Sequence, residues 1–413
     1  MIASRKELLT KEREEKLLTI EREEKTEGPY ELSRREKLLG SFEKKGFRES
    51  LGLRFGDFYF SPGGVTTGAG VSATARYFKA NLFNPIDFSV SAGYSFKQYQ
   101  LYAFQVGNIL RRSPDLFLRS AGAGGLSLFQ KTKEREGNFF LYAELAYRDF
   151  TEEDFYGLGT NSSESNHSNY RISGPSYEAV SALRFRRHLG AFVRAGYFNP
   201  EIRPGFDGTI PTTQEIFNET TAPGLDEQPN FFRIATQLFF DYRDFPGNPK
   251  GGGLLGATYA QYVDLDGNQF DFHRLTFDVR QYIPLWSEQR ILALHFYTSN
   301  DTAPEGSQVP FYLMQTLGGP DSLRGYPNFR FRDQKLFLIQ AEYRWDPAPA
   351  VGLALFYDSG KVFPETSDFD FSDMKRDFGF GIRLQSQEKV QVRIDIGHSE
   401  EGTQFFFKLD TSF

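Results

Sequence analysis

The sequence predicts an all-β fold: a 16-stranded antiparallel transmembrane β-barrel with a short charged helical N-terminal extension. Three observations predict it. The chain closes on a strand with one apolar face, where Phe405, Phe407, Leu409, Thr411 and the terminal Phe413 alternate with Gln404, Lys408, Asp410 and Ser412, Phe406 being the exception. Side chains alternate faces along a strand, and a wall with lipid outside and water inside requires that pattern. From about residue 65 the hydrophobic period is two through sixteen segments. Connector lengths then alternate between short and long, as expected for periplasmic turns and outer loops.

Composition permits this architecture and excludes others. The 413 residues include 44 Phe, 21 Tyr and no Cys, and 39% of the chain is hydrophobic. No run approaches the ~20 apolar residues of a membrane-spanning helix, but a barrel needs none, because only alternate residues meet lipid. The lack of Cys removes disulfides and thiolate metal sites and suits an oxidising periplasm. A net charge of −6 gives no footprint for nucleic acid. Residues 1–25 carry no apolar signal-peptide core, which leaves a removed leader or a misplaced start codon as the two explanations for an exported chain.

In chain order, residues 1–48 come first as a charged extension. Leu8–Lys16 is nearly repeated at Leu17–Lys25 in strong helix formers. A nine-residue offset turns about half-way round a helix, so the two Leu pairs fall on opposite sides. The segment reads either as a solvated extension or as a periplasmic helix that docks on a partner or enters the barrel mouth. Residues 49–64 form an extra strand, a linker or a plug. The barrel occupies 65–413, with strands at 66–79, 85–96, 98–111, 115–131, 138–150, 176–187, 189–199, 230–243, 252–264, 272–285, 290–299, 335–346, 351–361, 376–387, 389–399 and 403–413.

Several strands alternate cleanly. Leu275, Phe277 and Val279 oppose Arg274, Thr276, Asp278 and Arg280; Phe378, Phe380, Ile382 and Leu384 oppose Gly379, Gly381, Arg383 and Gln385; Val390, Val392, Ile394 and Ile396 oppose Gln391, Arg393 and Asp395. The polar faces carry too much charge for a sandwich core, whereas a water-filled lumen tolerates them. Short connectors at Lys97, His188, Phe245–Gly251, Trp286–Gln289, Pro347–Ala350 and Glu388 share one end, while 151–175, 200–229 and 300–334 are long and polar. An even strand count then puts both chain ends on the periplasmic side.

The loop 300–334 contains Leu317-Gly318-Gly319-Pro320-Asp321-Ser322-Leu323-Arg324-Gly325-Tyr326, and five strands follow it. Here the chain resembles the BamA/TamA-like outer-membrane assembly and transport barrels, the bacterial surface antigen family, whose in-folded sixth loop carries an Arg-Gly-aromatic motif. Arg324-Gly325-Tyr326 is similar to that motif. Ala341-Glu342-Tyr343 with Pro347 and Pro349 resembles the twelfth strand and its turn, and Phe356-Tyr357-Asp358-Ser359-Gly360 resembles the thirteenth. Asp241-Tyr242-Arg243-Asp244 with Pro249 and Gly251 resembles the periplasmic turn after strand eight. The likeness covers residues 65–413.

Parity supplies an independent reading of the loop. With Tyr343 and Trp345 facing lipid, Glu342 points inward; with Leu353, Leu355 and Tyr357 facing lipid, so does Asp358. The two carboxylates would lie on the order of 10 Å apart across a hairpin, and a planar guanidinium lowered between them bonds to both. The resemblance implies this role for Arg324, with Glu342, Asp358 and Gly360 on the anchoring wall. Gly325 would let the backbone reverse. The alternative is three unrelated surface charges. A partly wet ion pair contributes about 1 kcal/mol, so the greater benefit is fixing the loop's position.

The resemblance also implies function: insertion or translocation of polypeptides at the bacterial outer membrane, with outer-membrane lipid and a polypeptide client as partners and no cofactor. The residues before the first strand show no α/β pattern of a POTRA domain, which places the chain with a POTRA-less subset. Strand 66–79, with Gly68, Ala69, Gly70, Ser72, Ala73 and Ala75, reads either as a soft seam against the last strand or as a site of sharp curvature. A passive or gated pore, plugged by the N-terminal segment or loop 300–334, is the second reading. An enzyme is the weakest: no Gly-x-Ser-x-Gly motif or metal-ligand spacing accompanies the five His. Asp264–Asn268 lacks the closing Glu of a calcium loop and reads as a turn.

Overall fold

The structure is a computed structural model that describes residues 53–83, 86–109, 139–267, 269–385 and 390–409. The expectations for residues 1–48, for a strand at 115–131 and for Phe413 lie outside these residues. The described chain begins with a hairpin of β1 (Leu53–Phe55) and β2 (Phe58–Pro62). It continues through β3 (Ser72–Phe83), β4 (Ile86–Ser95), β5 (Gln100–Asn108), β6 (Phe139–Phe155), β7 (Ser168–Arg184) and β8 (Leu189–Phe198). A short β9 (Glu201–Pro204) precedes β10 (Phe231–Asp241), β11 (Gly252–Asp264), β12 (Phe272–Leu285) and β13 (Ser287–Thr302). β14 (Gln315–Leu317) and β15 (Phe331–Asp333) pair with each other as a separate ladder, and Arg332 of β15 also bridges to Gly159. Last come β16 (Lys335–Ala348), β17 (Val351–Phe363), β18 (Lys375–Gln385), β19 (Val390–Ser399) and β20 (Gly402–Lys408).

One antiparallel ladder runs from β2 to β20 in chain order, passing over β9, β14 and β15. Among the described residues it holds sixteen strands counted from the five-residue β2, and seventeen with β1, which pairs on the other edge of β2. Antiparallel steps reverse direction each time, so β20 runs parallel to β3 and opposite to β2. Among the described residues no backbone pair joins β20 to β2. Just beyond the two strands, a β-carbon at Gly63 would lie 3.7 Å from Leu409 Cδ1.

The two faces of this wall differ in kind. Along β10, Phe232, Ile234, Leu238 and Phe240 are exposed, while Phe231, Arg233, Ala235, Gln237 and Phe239 are buried. Leu355, Tyr357, Phe378, Phe380, Phe405 and Phe407 extend the exposed apolar face through the last strands. Such a continuous patch is foreign to a soluble monomer and suits a bilayer. Leu355, 61% exposed, is the probe: Leu355→Arg is expected to lower stability in lipid vesicles by roughly 2 kcal/mol, and Leu355→Met to leave the urea midpoint unchanged.

The wall encloses its own loop. Phe311 and Tyr312 pack with Phe155 and Tyr170 of β6 and β7, and with Tyr262 and Phe272 of β11 and β12. Arg332 reaches the Tyr170 hydroxyl at 2.9 Å, and Arg330 meets Glu401 beside β20 at 2.8 Å. One loop touches strands from β6 round to β20 because the sheet curves about it.

Several expectations are corrected. The first wall strand is β2, inside the segment 49–64 read as an extra strand, linker or plug, and it carries Phe58 and Phe60 rather than the run of small residues. That run lies at 68–75, in the turn before β3 and the start of β3. β5 pairs directly with β6 from Gln100↔Asp149 to Asn108↔Leu141, and the strand expected at 115–131 lies outside the described residues. The wall thus counts sixteen described strands from β2, or seventeen with β1. Parity shifts with it: the Lys97 turn lies at the long-loop end, where its carbonyl accepts from Thr151 Oγ1 at 2.5 Å and its ammonium meets Glu152 at 3.1 Å. Much of 151–175 is strand, because β6 and β7 run on beyond the wall and β7 also pairs with β9. The inner face is packed rather than open, and its charges are accommodated by pairing with one another.

Candidate functional site

The β14–β15 ladder, Gln315↔Asp333 to Leu317↔Phe331, is the stem of the in-folded loop. At the end of the stem the chain turns sharply through Gly318 and Gly319, with φ of +108° and +95°, a region that side chains with a β-carbon disfavour. Gly318 N donates to Ser322 Oγ at 2.9 Å and Gly319 N to the Tyr326 carbonyl at 3.1 Å, closing the tip on itself. Gln340 of β16 then donates to the Ser322 carbonyl at 2.7 Å, docking the tip on the wall.

This places Arg324 at the centre of the inner wall with no solvent exposure. Its Nε and Nη2 donate to the two oxygens of Asp358 on β17, at 2.7 and 2.8 Å, as a two-pronged fork. Its Nη1 donates to Glu342 on β16. The guanidinium carbon lies 3.5 Å from the centre of the Phe356 ring, a stacking that suits a planar cation. Asp358 is paired with Gln340 and Glu342 with Phe356. The two carboxylates therefore stand on diagonal positions of one hairpin, close enough for a single guanidinium to meet both.

A wider network surrounds the three residues. Glu342 also accepts from Arg344 Nε at 2.7 Å and from Arg383 Nη2 at 3.3 Å. Arg383 Nη1 donates to Asp395 at 2.6 Å, and Arg393 donates to the Pro320 carbonyl at 2.7 Å and to Asp321 at 3.2 Å. Asp321 also receives Lys408 of β20 and, at 3.5 Å, Thr67 Oγ1 from the turn before β3. The loop thus holds groups on both flanks of the unpaired seam. Alternation had put Arg383, Arg393 and Asp395 on the polar face, but their partners depend on register between strands distant in sequence. Gln340 and Arg344 share the inward column of β16 with Glu342, and period two alone would have found them.

Gly325 acts differently from the expectation. Its φ lies outside the left-handed region, and the need is for space: a β-carbon there would fall 2.5 Å from Asp377 Cβ and 3.0 Å from Ser399 Cβ. Gly397 provides the facing space, since its β-carbon would fall 2.3 Å from the Arg324 carbonyl oxygen. Ser399 Oγ donates to the Gly325 carbonyl at 2.8 Å. Tyr326 is fully buried with Leu317, Leu323, Phe331, Leu336, Leu338 and Val362. Gly360, opposite Leu338, leaves room for Leu317.

The remaining motif residues lie apart from this cluster. Asp241, Arg243, Asp244, Pro249 and Gly251 form the turn between β10 and β11, at the short-turn end. Arg243 forks onto Asp241 at 2.9 and 2.8 Å, and the Asp244 carboxylate accepts from Phe245 N and Lys250 N at 2.7 and 3.0 Å. Phe405 and Phe407 are exposed on the outer face of β20, and Leu409 stands next to Gly63. Asp264 accepts from the amides of Asp266, Gly267 and Gln269, closing the turn after β11 with its own backbone.

What the clasp does chemically is hold. Each nitrogen of the Arg324 guanidinium has a carboxylate partner, and removing one member of such a buried cluster strands charge at a cost of about 3–5 kcal/mol. A wall apolar outside and charged inside, gripping an in-folded loop by a buried arginine, defines a membrane β-barrel of the self-clasped kind. The chain belongs to the Omp85 superfamily, whose domain matches residues 34–407. It is similar in structure to BamA from Haemophilus ducreyi lacking POTRA domains 1–3, with 14% identity over 84% of this chain and 68% of that one and a TM-score of 0.57. It is also similar to CdiB from Escherichia coli, with 11% identity, 86% of this chain covered and a TM-score of 0.50. It spans 62% of the length of that CdiB chain. At these identities the likeness is one of fold. No curated protein sequence matches the chain.

Proposed function

We propose that this chain is a closed sixteen-stranded barrel of the bacterial outer membrane that inserts or translocates polypeptides, with the β2–β20 seam as its working edge. The observation that carries the reading is the asymmetry of the wall. Every other pair of neighbouring strands is laced by a backbone ladder, whereas the β2–β20 edge is spanned from inside by the clasped loop through Asp321. Strand edges not held by a neighbouring wall strand are templates for another chain, and on this side β2 carries the three-residue pairing of β1, Leu53↔Phe60 to Phe55↔Phe58, a short ladder with few backbone bonds to break. Outer-membrane lipid bathes the exposed face, a polypeptide client uses the edge, and residues 1–48 reach a periplasmic partner. The reading includes no catalytic step and no cofactor.

The test uses Gly63→Cys with Leu409→Cys, two neighbours at the seam, in a chain that has no other Cys. In liposomes, assembly of a urea-denatured outer-membrane barrel client is expected to be accelerated by the reduced variant and lost on oxidation. The left-handed backbone at Gly63 costs the new side chain about 1–2 kcal/mol, and reduced and oxidised forms share that cost. Equal client assembly in both forms would remove the seam from the mechanism. A gated pore is the second reading, supported by the loop that fills the lumen; large conductance on removing the loop, without client assembly, would favour it.

A further inference from the structure

The turn between β10 and β11 does more than join two strands. Gly247, Asn248 and Pro249 at its tip are buried. The Val390 amide at the start of β19 donates to the Gly247 carbonyl at 3.0 Å, and the Lys250 ammonium pairs with Asp346 near the end of β16. Along the wall, β19 is seven strand steps from β10, roughly 34 Å at ~4.8 Å per step. A ten-residue turn hanging below its own hairpin cannot follow that arc. It makes both contacts only by crossing the opening as a chord.

The turn is built to keep this shape. The fork of Arg243 onto Asp241 and the bonds from Phe245 N and Lys250 N to Asp244 close it on itself, and Tyr242 Oη donates to Gln281 Oε1 on β12 at 2.6 Å. The inward column of β16 runs from this floor to the clasp: Asp346 takes Lys250, Arg344 donates to Glu342, and Glu342 takes Arg324.

We propose that residues 242–251 form a second gate, a floor across the short-turn end of the lumen. Free passage along the lumen then requires two releases, of the Arg324 clasp above and of this turn below. The inference rests on the turn's own contacts and is independent of the client.

Single-channel conductance in planar bilayers tests it. Arg324→Ala alone and Lys250→Glu alone are each expected to stay at the closed level of the parent chain. The two together are expected to raise mean conductance about ten-fold or more, because like charges at Lys250→Glu and Asp346 repel the floor. Adding Asp346→Lys restores the pair with reversed signs and is expected to close the pore again. Full opening by Arg324→Ala alone would overturn the proposal, as would a closed double variant whose loop 303–334 is freely cut by protease. A second measurement uses the otherwise parental chain: Asn248→Cys is expected to label with an impermeant maleimide far more slowly than the exposed Ser287→Cys. Equal rates would equally overturn the floor.

Discussion

Replacing Arg324 with alanine is expected to destabilise the folded barrel by about 3–5 kcal/mol, seen as a large fall in the temperature at which the compact band on a denaturing gel converts to the unfolded one. The size follows from what stays behind. Glu342 keeps Arg344 and Arg383, so its charge remains compensated. Asp358 keeps only neutral donors, Gln340 Nε2 at 3.1 Å and the backbone amide of residue 324 at 3.4 Å. Across the β17–β18 ladder it faces Asp377, another buried carboxyl. The variant therefore leaves two acids together in a closed space. Arg324→Lys is expected to fall between the parent and the alanine variant. Lysine restores a charge but gives up the fork to Asp358 and the stacking over Phe356. A lysine as stable as arginine would show that charge alone matters and that the geometry does not.

Gly397→Val is expected to approach the same loss, about 3–5 kcal/mol, without touching a charged group. A β-carbon at 397 meets the Arg324 carbonyl oxygen at 2.3 Å and the Gly325 nitrogen at 2.8 Å. Both are backbone atoms, so no side-chain rotation relieves the clash; the loop tip must lift, and Arg324 lifts with it. Trypsin is then expected to cut after Arg324 or Arg330, two sites that the parent chain buries. His398→Val, one residue along on the outward face, is expected to stay within about 0.5 kcal/mol and to remain uncut. Equal resistance of the Gly397 and His398 variants to trypsin would mean that the tip does not rest on β19.

Much of this was legible in the sequence because period two is a local signal. It oriented Arg274, Asp278, Arg280, Arg383, Arg393 and Asp395 toward the interior, and it turned Glu342 and Asp358 to the same side. The motif Arg324-Gly325-Tyr326 placed the arginine. Parity could not say which carboxylate would take the fork, since that depends on the one-step offset that puts Gln340, not Glu342, opposite Asp358. The first wall strand stayed one of three readings of 49–64 because β2 has only five residues, ends in Pro62 and follows a turn at Gly56. Gly397 was invisible because its meaning lies in a backbone that arrives from 73 residues away, at Arg324. The paired interior was missed because charge patterning alone does not distinguish a solvated face from one covered by an in-folded loop.

A double-mutant cycle on Arg324 and Asp358 bears most directly on the clasp. Arg324→Ala, Asp358→Asn and the combined variant would each be unfolded by urea in lipid vesicles. If one buried fork joins the loop to the wall, Asp358→Asn removes the charge that Arg324→Ala strands, and the coupling between the two sites is expected to be about 2 kcal/mol. Losses that simply add, within ~0.5 kcal/mol, would mean that Arg324 and Asp358 do not hold each other and that the loop is kept in place by something else.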